Sequence, residues 1–305
     1  MQPSGYLTVP EFRNMATFLE LDNLVTGGSA GQNTAELANE LRRASAWADR
    51  YVKNGEGGPT LGARLRTEQL RGRVDRDGMI TLRPRGTSGG IPVRTVTGFS
   101  YGVTTTTLTA LTDLSGVWID GSAVSVPLGS YSGAWTGSLN IGRPSVGGEF
   151  FVALSYVSGW PNTILTANTL ASATSLTVQD ATGIRAGDVL DLIDPGDPTS
   201  PDTSSEQVTV ASVSSNTLTL TAGLVNAHTA ASEIGVSALP PDAKKAVSFV
   251  ARSFLSRRGP EKPKSTFAGS RVATGTKTPV DEVAASDDYL MSAVAILDAY
   301  RRKTP

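Results

Sequence analysis

The sequence predicts an α+β protein: a helical bundle formed by N- and C-terminal helices, a β-rich middle, and a small antiparallel β module inserted into that middle. Three observations predict it. Helical apolar spacing is confined to the two ends of the 305-residue chain. Between them the period changes to alternation, with Gly and Ser dividing short β-branched runs. The strand-rich region is also split. Tyr156-Val157-Ser158-Gly159-Trp160-Pro161 closes one part and Leu239-Pro240-Pro241-Asp242 opens a helix, with a self-contained block from Thr163 to Val236 between them. Such a block is tolerated in a surface loop, where few buried backbone hydrogen bonds are broken.

Residues 1–58 are expected to form the N-terminal helical part of the bundle. Thr8 can cap a helix with Glu11 reaching back, and Pro10 suits the first turn. Phe12, Met15, Ala16 and Leu19 then share one face, until the glycines at 27, 28 and 31 break the pattern. Asn33 and Glu36 give a second capping pattern, followed by Leu37, Leu41, Ala44, Ala48 and Tyr51 at helical spacing. Two antiparallel helices are the simplest product.

Residues 59–161 form the β-rich region. Leu70, Gly72 and Val74 alternate with charged residues, Asp77-Gly78 supplies a turn, and Ile80 and Leu82 alternate again, as in a hairpin. Further strands are expected at Val93–Gly98, Leu108–Leu111, Trp118–Ile119, Val124–Val126 and Phe150–Tyr156. Residues 162–237 are the inserted sandwich or barrel, with strands at Ser175–Val178, Val189–Ile193, Gln207–Val213 and Thr217–Leu220.

A bundle helix is expected over 238–258, with Ala243, Ala246, Val247, Val250 and Phe254 as its main stripe and Phe249 and Leu255 widening it. Residues 259–285 carry Gly, Pro, Lys, Ser and Thr with little periodicity, the composition of a mobile arm. The last helix, 286–305, opens on Ser286, Asp287 and Asp288, a cap with acids near the positive end of the dipole. Its apolar residues, Tyr289 to Tyr300, surround most of the axis, so this helix asks for a partner.

Composition excludes several function classes. With Lys+Arg 27 against Asp+Glu 28 the net charge is -1, unlike a dedicated nucleic-acid binder. There is no cysteine, which removes disulfide scaffolds, thiolate metal sites and Cys nucleophiles. Neither a signal-like N-terminus nor an apolar run of membrane-spanning length occurs, so a soluble protein that stays where it is made is expected.

Candidate chemistry is sparse. Gly27-Gly28-Ser29-Ala30-Gly31 and Gly86-Thr87-Ser88-Gly89-Gly90 both satisfy Gly-x-Ser-x-Gly. A nucleophile elbow needs a strand before the serine and a helix after it. Ser29 follows a helix and Ser88 precedes a strand, so both are flexible turns. The one histidine, His228, has no visible partner set, and a structural hydrogen bond is favoured. The acidic loop Asp191, Asp194, Asp197, Asp202 and Glu206 could hold calcium, but its spacing departs from the EF-hand pattern and three prolines stiffen it. No cofactor is called for. The positive clusters singled out are Arg252, Arg257, Arg258, Lys262 and Lys264, and Arg301-Arg302-Lys303.

The order of these pieces resembles head-to-tail connector proteins (adaptors) of long-tailed bacteriophages, most of all those of phages infecting actinobacteria. The matching pieces are the N-terminal helical pair, Pro92-Val93-Arg94-Thr95-Val96 leading to Phe99-Ser100-Tyr101, Leu114-Ser115-Gly116-Val117-Trp118, Phe151 to Pro161, and Leu239-Pro240-Pro241-Asp242 through Arg258. The resemblance implies a structural protein of the virion, at the capsid–tail junction, made in the host bacterial cytoplasm and without enzymatic activity. It implies a ring, commonly of twelve subunits, that binds the portal protein and a head–tail stopper or tail terminator. Double-stranded DNA passes through that ring without sequence specificity, and no membrane is involved. On this reading Tyr289, Ile296, Leu297, Tyr300, Arg301, Arg302 and Lys303 face the portal, and Arg257, Arg258, Lys262 and Lys264 meet DNA or a partner. The insert at 162–237 departs from the minimal connector, so its role does not carry over. The alternative is a β-sandwich carbohydrate- or cell-surface-binding protein using Trp118, Trp135 or Trp160 as sugar platforms. A hydrolase using Ser88 or Ser29 with His228 is the third reading.

Overall fold

The computed structural model describes residues 5–15, 19, 21–53, 58–128, 149–194, 204–230, 233–257 and 279–301, with backbone alone at 279–287. The fold is mixed, with a β-rich middle and helices toward both ends. It divides into two compact units, one of Met1–Tyr51 with Pro161–Ala299 and one of Val52–Trp160 with Tyr300–Pro305.

In the first unit, α1 (Val9–Arg13) is a single turn closed by the expected Thr8–Glu11 capping box. It stops at Asn14, whose N–H returns to the carbonyls of Pro10 and Phe12, so the first of the two expected antiparallel helices does not form at full length. α2 (Ala30–Lys53) starts three residues ahead of Asn33. Ser29 and Gln32 cap it reciprocally, at 2.8 and 3.3 Å. Asn33 works backwards instead, accepting from the Val25 N–H at 2.8 Å and donating to the Asp22 carbonyl at 2.5 Å, which ties down the loop before the helix. Leu37, Leu41, Ala44 and Ala48 form its buried stripe, as their spacing predicts.

The inserted block is a closed barrel. Its strands are β8 (Asn162–Ile164), β9 (Ser175–Thr177), β10 (Val189–Ile193), β11 (Glu206–Ser214), β12 (Thr217–Leu220) and β13 (Gly235–Ser237). They pair antiparallel in the order β8-β13-β10-β11-β12-β9. The ends of that order also meet: Leu165 bridges Val178, Thr166 N–H donates to the Thr177 carbonyl and Gln179 N–H to the Ile164 carbonyl, each at 2.9 Å. Closure leaves no free edge among these strands. Leu176, Leu190, Leu192, Val210, Leu218 and Val236 fill the interior. Two of the three-residue strands, β8 and β13, are not among those the sequence predicts. They pair at the module's stem, Thr163 opposite Val236.

After the barrel, α3 (Pro241–Ser256) buries Ala243, Ala246, Val247, Val250 and Leu255, whereas Phe249 and Phe254 stay half-exposed. α4 (Pro279–Leu297) begins seven residues before Ser286 and runs beside α3. Pro279 at the first helical position with Asp281 and Glu282 behind it is a start signal in its own right. Residues 279–285 are therefore helix rather than arm, and 259–278 lie outside the described residues. The helix also ends at Leu297, short of the expected 305.

The second unit contains β1 (Arg64–Arg73), β2 (Met79–Leu82), β3 (Val93–Gly102), β4 (Thr109–Ala110), β5 (Trp118–Asp120), β6 (Ala123–Pro127) and β7 (Glu149–Ser158). Among the described residues these make a four-stranded sheet, β1-β7-β3-β4, and a three-stranded one, β2-β6-β5. Gly78 turns the chain at φ 76° as predicted, yet β1 and β2 share only the Val74–Ile80 bridge and then part to different sheets. The core joins side chains of both: Ile80 and Val124 from the smaller sheet, Phe99, Val152, Leu154 and Tyr156 from the larger.

Candidate functional site

Ser29 is spent on the α2 cap. Ser88 lies in the 3-10 turn Arg85–Gly90, and the structure says nothing of its side chain. That turn is pinned to the sheet by a buried node. Tyr156 hydroxyl donates to Glu68, which accepts the N–H groups of Arg85 and Gly86 at 2.9 and 3.0 Å. Burial, and then the Glu68 carboxylate, push the Tyr156 hydroxyl well above the usual tyrosine range, so it remains a hydrogen-bond donor.

His228 has the partner set that the sequence hid. Its Nδ1 lies 2.8 Å from Asp194 Oδ2 and its Nε2 2.9 Å from Glu206 Oε1, with the ring fully buried. Both ring nitrogens are therefore held by carboxylates. Asp194 and Glu206 sit at the two ends of the loop from β10 to β11, and the imidazole clamps them together. Burial pushes the Glu206 carboxyl up, but the N–H groups of Val225 and Asn226 and the His228 ring outweigh it and hold it below the usual range. Asp191 accepts from Gln207 at 3.1 Å, and Asp197 and Asp202 fall outside the described residues. Among the described residues no group of His, Asp and Glu is arranged to hold a metal ion.

The expected interaction helix is more covered than its composition suggests. Leu297 and Ala293 are fully buried, and Tyr289 and Ile296 are half-buried. Tyr289 stacks on Phe249, centroids 6.1 Å apart and planes within 20°. Lys245 and Arg252 hold their charges 5.8 and 5.5 Å from the Phe249 centroid, and Arg252 also lies 5.9 Å from Tyr289. Its guanidinium is pulled below the usual arginine range by burial. The exposed positions of α4 are small or polar, Asp288, Ser292 and Ala295, with Met291 the large exception at 66% exposed, and Asp298 and Ala299 are exposed just past its end. Tyr51 hydroxyl donates to Asp298 at 2.5 Å and fixes the helix end to α2.

The remaining residues singled out in the sequence are divided. Tyr300 belongs to the second unit, edge-on to Trp160 at 5.5 Å, and Gly89, at φ 74°, lets the Tyr300 carbonyl approach where a Cβ would stand 2.1 Å away. Arg301 is half-buried, and Arg302 and Lys303 lie outside the described residues. Arg257 is exposed at the end of α3, whereas Arg258, Lys262 and Lys264 are not among the described residues. Of the three tryptophans considered as sugar platforms, Trp118 is 66% exposed, Trp160 is half-buried, and Trp135 lies outside the described residues. No described helix is long and apolar enough to cross a membrane.

No protein-family model matches the chain, and no curated protein is significantly similar to it. Among solved structures it is similar to a chain in the neck of an empty GTA particle computed with C6 symmetry, at 16% identity and a TM-score of 0.36, covering 100% of this chain and 95% of that one. It is also similar to the Gp54 tailspike of Acinetobacter baumannii bacteriophage AP22 in complex with A. baumannii capsular saccharide, at 26% identity and a TM-score of 0.22. That match covers 26% of this chain and 14% of the tailspike chain. Both superpositions are loose.

Proposed function

We propose that the chain is a structural subunit of a phage head-to-tail connector ring, binding the portal on one side and a stopper or tail terminator on the other, with DNA passing through. The observation that carries this reading is where the resemblance falls. Pro92–Tyr101 and Phe151–Pro161 are distant in sequence yet fall in β3 and β7, paired from Val93–Ser158 to Gly102–Phe151, with the Gly159 N–H on the Pro92 carbonyl. Leu239 through Arg257 is the turn into α3 and the helix itself. The first two of these pieces are thus neighbouring strands of one unit, and along the chain the barrel lies between β7 and α3.

The same reading gives the chain no enzymatic step. His228 is committed on both nitrogens and Ser29 to a helix cap. The helical bundle of both termini is proposed to hold the portal-facing elements. Met291 is a large apolar residue that it presents, 66% exposed on α4. The ring is proposed to have twelve subunits. Electron microscopy of assembled particles, and of the purified chain mixed with portal, tests this: the expected result is a closed ring of this chain beneath the portal. An isolated copy, or absence from the vertex, overturns it.

One observation favours the second reading, a carbohydrate-binding surface: Trp118 is exposed on β5, an edge strand of its sheet. Glycan binding lost in Trp118→Ala, with the fold intact, would select it.

A further inference from the structure

In the first unit, Arg13 pairs with Asp22 and Lys244 with Glu11, each at 3.1 Å. Arg43, which lies 5.6 Å from the Phe254 centroid, has Glu40 at 2.7 Å. Arg252 departs from that pattern. Its guanidinium rests against Phe249 and Tyr289, and its Nε is buried with no hydrogen-bond acceptor among the described residues. No described carboxylate pairs with it, and burial is the main influence on its charge.

Lys245, Phe249 and Arg252 share one face of α3 at helical spacing, and Tyr289 of α4 stacks on Phe249. Arg252 and both rings are half-buried, and Lys245 is exposed, so all four can be reached from solvent. A partly desolvated guanidinium without a counter-ion is destabilising, and a carboxylate that arrives from outside offsets that cost with charge-assisted hydrogen bonds.

We propose that Lys245, Phe249, Arg252 and Tyr289 form a docking site for an acidic segment of the portal-side partner, with a carboxylate of that segment on Arg252 and an apolar side chain on the two rings. This rests on the connector reading and names the chemistry of the surface that the bundle meets. Charge selects a protein carboxylate over a phosphate backbone. DNA is gripped by runs of cations, because it carries a charge at every step. Here two cations stand between exposed acids, Asp242 one turn before Lys245 and Asp288 next to Tyr289. Those acids repel a polyanion and leave room for a single carboxylate. The rings add nothing to a contact with duplex phosphates, whereas arginine among aromatic side chains is the composition of protein interface centres.

Attachment of the full-length chain to DNA-filled, tailless heads tests the site, with poly-L-glutamate and a DNA duplex as competitors. Arg252→Met keeps an apolar stem on the rings and removes an unneutralised charge. Its urea midpoint should hold or rise while attachment falls roughly tenfold or more. Arg252→Lys keeps the charge and loses the planar fork, so its attachment should lie between the two. Poly-L-glutamate should bind the unaltered chain, more weakly as salt is raised, and should compete with the heads. Attachment unchanged in both variants overturns the proposal. So does a lowered midpoint in Arg252→Met, which makes the residue structural, and so does competition by the duplex in place of poly-L-glutamate. Attachment to heads that does not depend on Arg252 sinks the site alone. Binding of poly-L-glutamate that does depend on it, without any attachment to heads, sinks the connector reading alone.

Discussion

Lys244 Nζ lies 3.1 Å from Glu11 Oε1, two charged groups 233 residues apart in sequence and each more than nine-tenths buried. The first turn of α3 is thereby fastened to α1, whose own cap uses the other oxygen of the same carboxylate. Breaking a buried pair from one side strands a charge, at about 3–5 kcal/mol, whereas replacing both partners with packed apolar groups is often neutral. Lys244→Ala should therefore lower stability by about that amount. Lys244→Met with Glu11→Leu should recover much of it, read as urea midpoints at constant slope. Equal midpoints for the single and double variants would show that the pair is not coupled.

The clamp on His228 gives the barrel a defined response to acid. Glu206 has its folded pKa depressed, so its contribution is fully present above its unfolded value and is lost as the pH falls through the lower folded value. The stability of the barrel should fall as pH drops below the usual glutamate range, and Glu206→Gln should flatten that dependence. His228→Ala, which leaves two carboxylates facing each other across a void, should cost about 2–4 kcal/mol at neutral pH. Denaturation midpoints between acid and neutral pH decide both points.

Gly159 sits at φ 105°, where a Cβ would lie 2.3 Å from the Gly62 carbonyl oxygen. Gly159→Ala strains the backbone and forces that strand end apart, at about 1–3 kcal/mol or more. Thermal melting should show the loss, and an unchanged midpoint would mean that the contact relaxes freely.

Excision of the barrel should leave the rest of the chain folded. The stem supplies a natural joint, since Pro161 and Ala238 are already hydrogen-bonded at 2.9 Å and β8 pairs with β13. Replacing residues 166–233 with a short flexible linker keeps that pairing and should preserve helical circular dichroism and a cooperative melt. Loss of the helical signal would make the barrel integral to the fold.

On α4, burial and exposure separate folding from docking. Leu297→Ala should cost about 2–5 kcal/mol of stability, because the side chain is fully buried. Met291→Ala should leave stability within about 0.5 kcal/mol, as expected of an exposed position. It should still reduce attachment to DNA-filled heads, as should Tyr300→Ala, by roughly 30-fold if Tyr300 is a buried anchor of the contact. Normal head–tail joining in both variants, or after truncation at Asp288, would place the portal contact elsewhere.

What the sequence determined by itself are the features that local chemistry decides. The capping box at Thr8 and Glu11, the turn at Gly78, the buried stripes of α2 and α3, and β10 and β12 at their full lengths all follow from period and side-chain type. Long-range pairing was beyond its reach. Nothing local tells β1 to pair with β7 and β2 with β6, because alternation fixes which face a residue takes and not which strand lies beside it. Closure of the barrel by two three-residue strands, the burial of His228 between carboxylates 34 and 22 residues away, and the Lys244–Glu11 pair are likewise decided by tertiary contact. The apolar count of α4 overstated its free surface for the same reason: composition gives how much a helix must bury, and only its packing beside α3 decides how much is already covered.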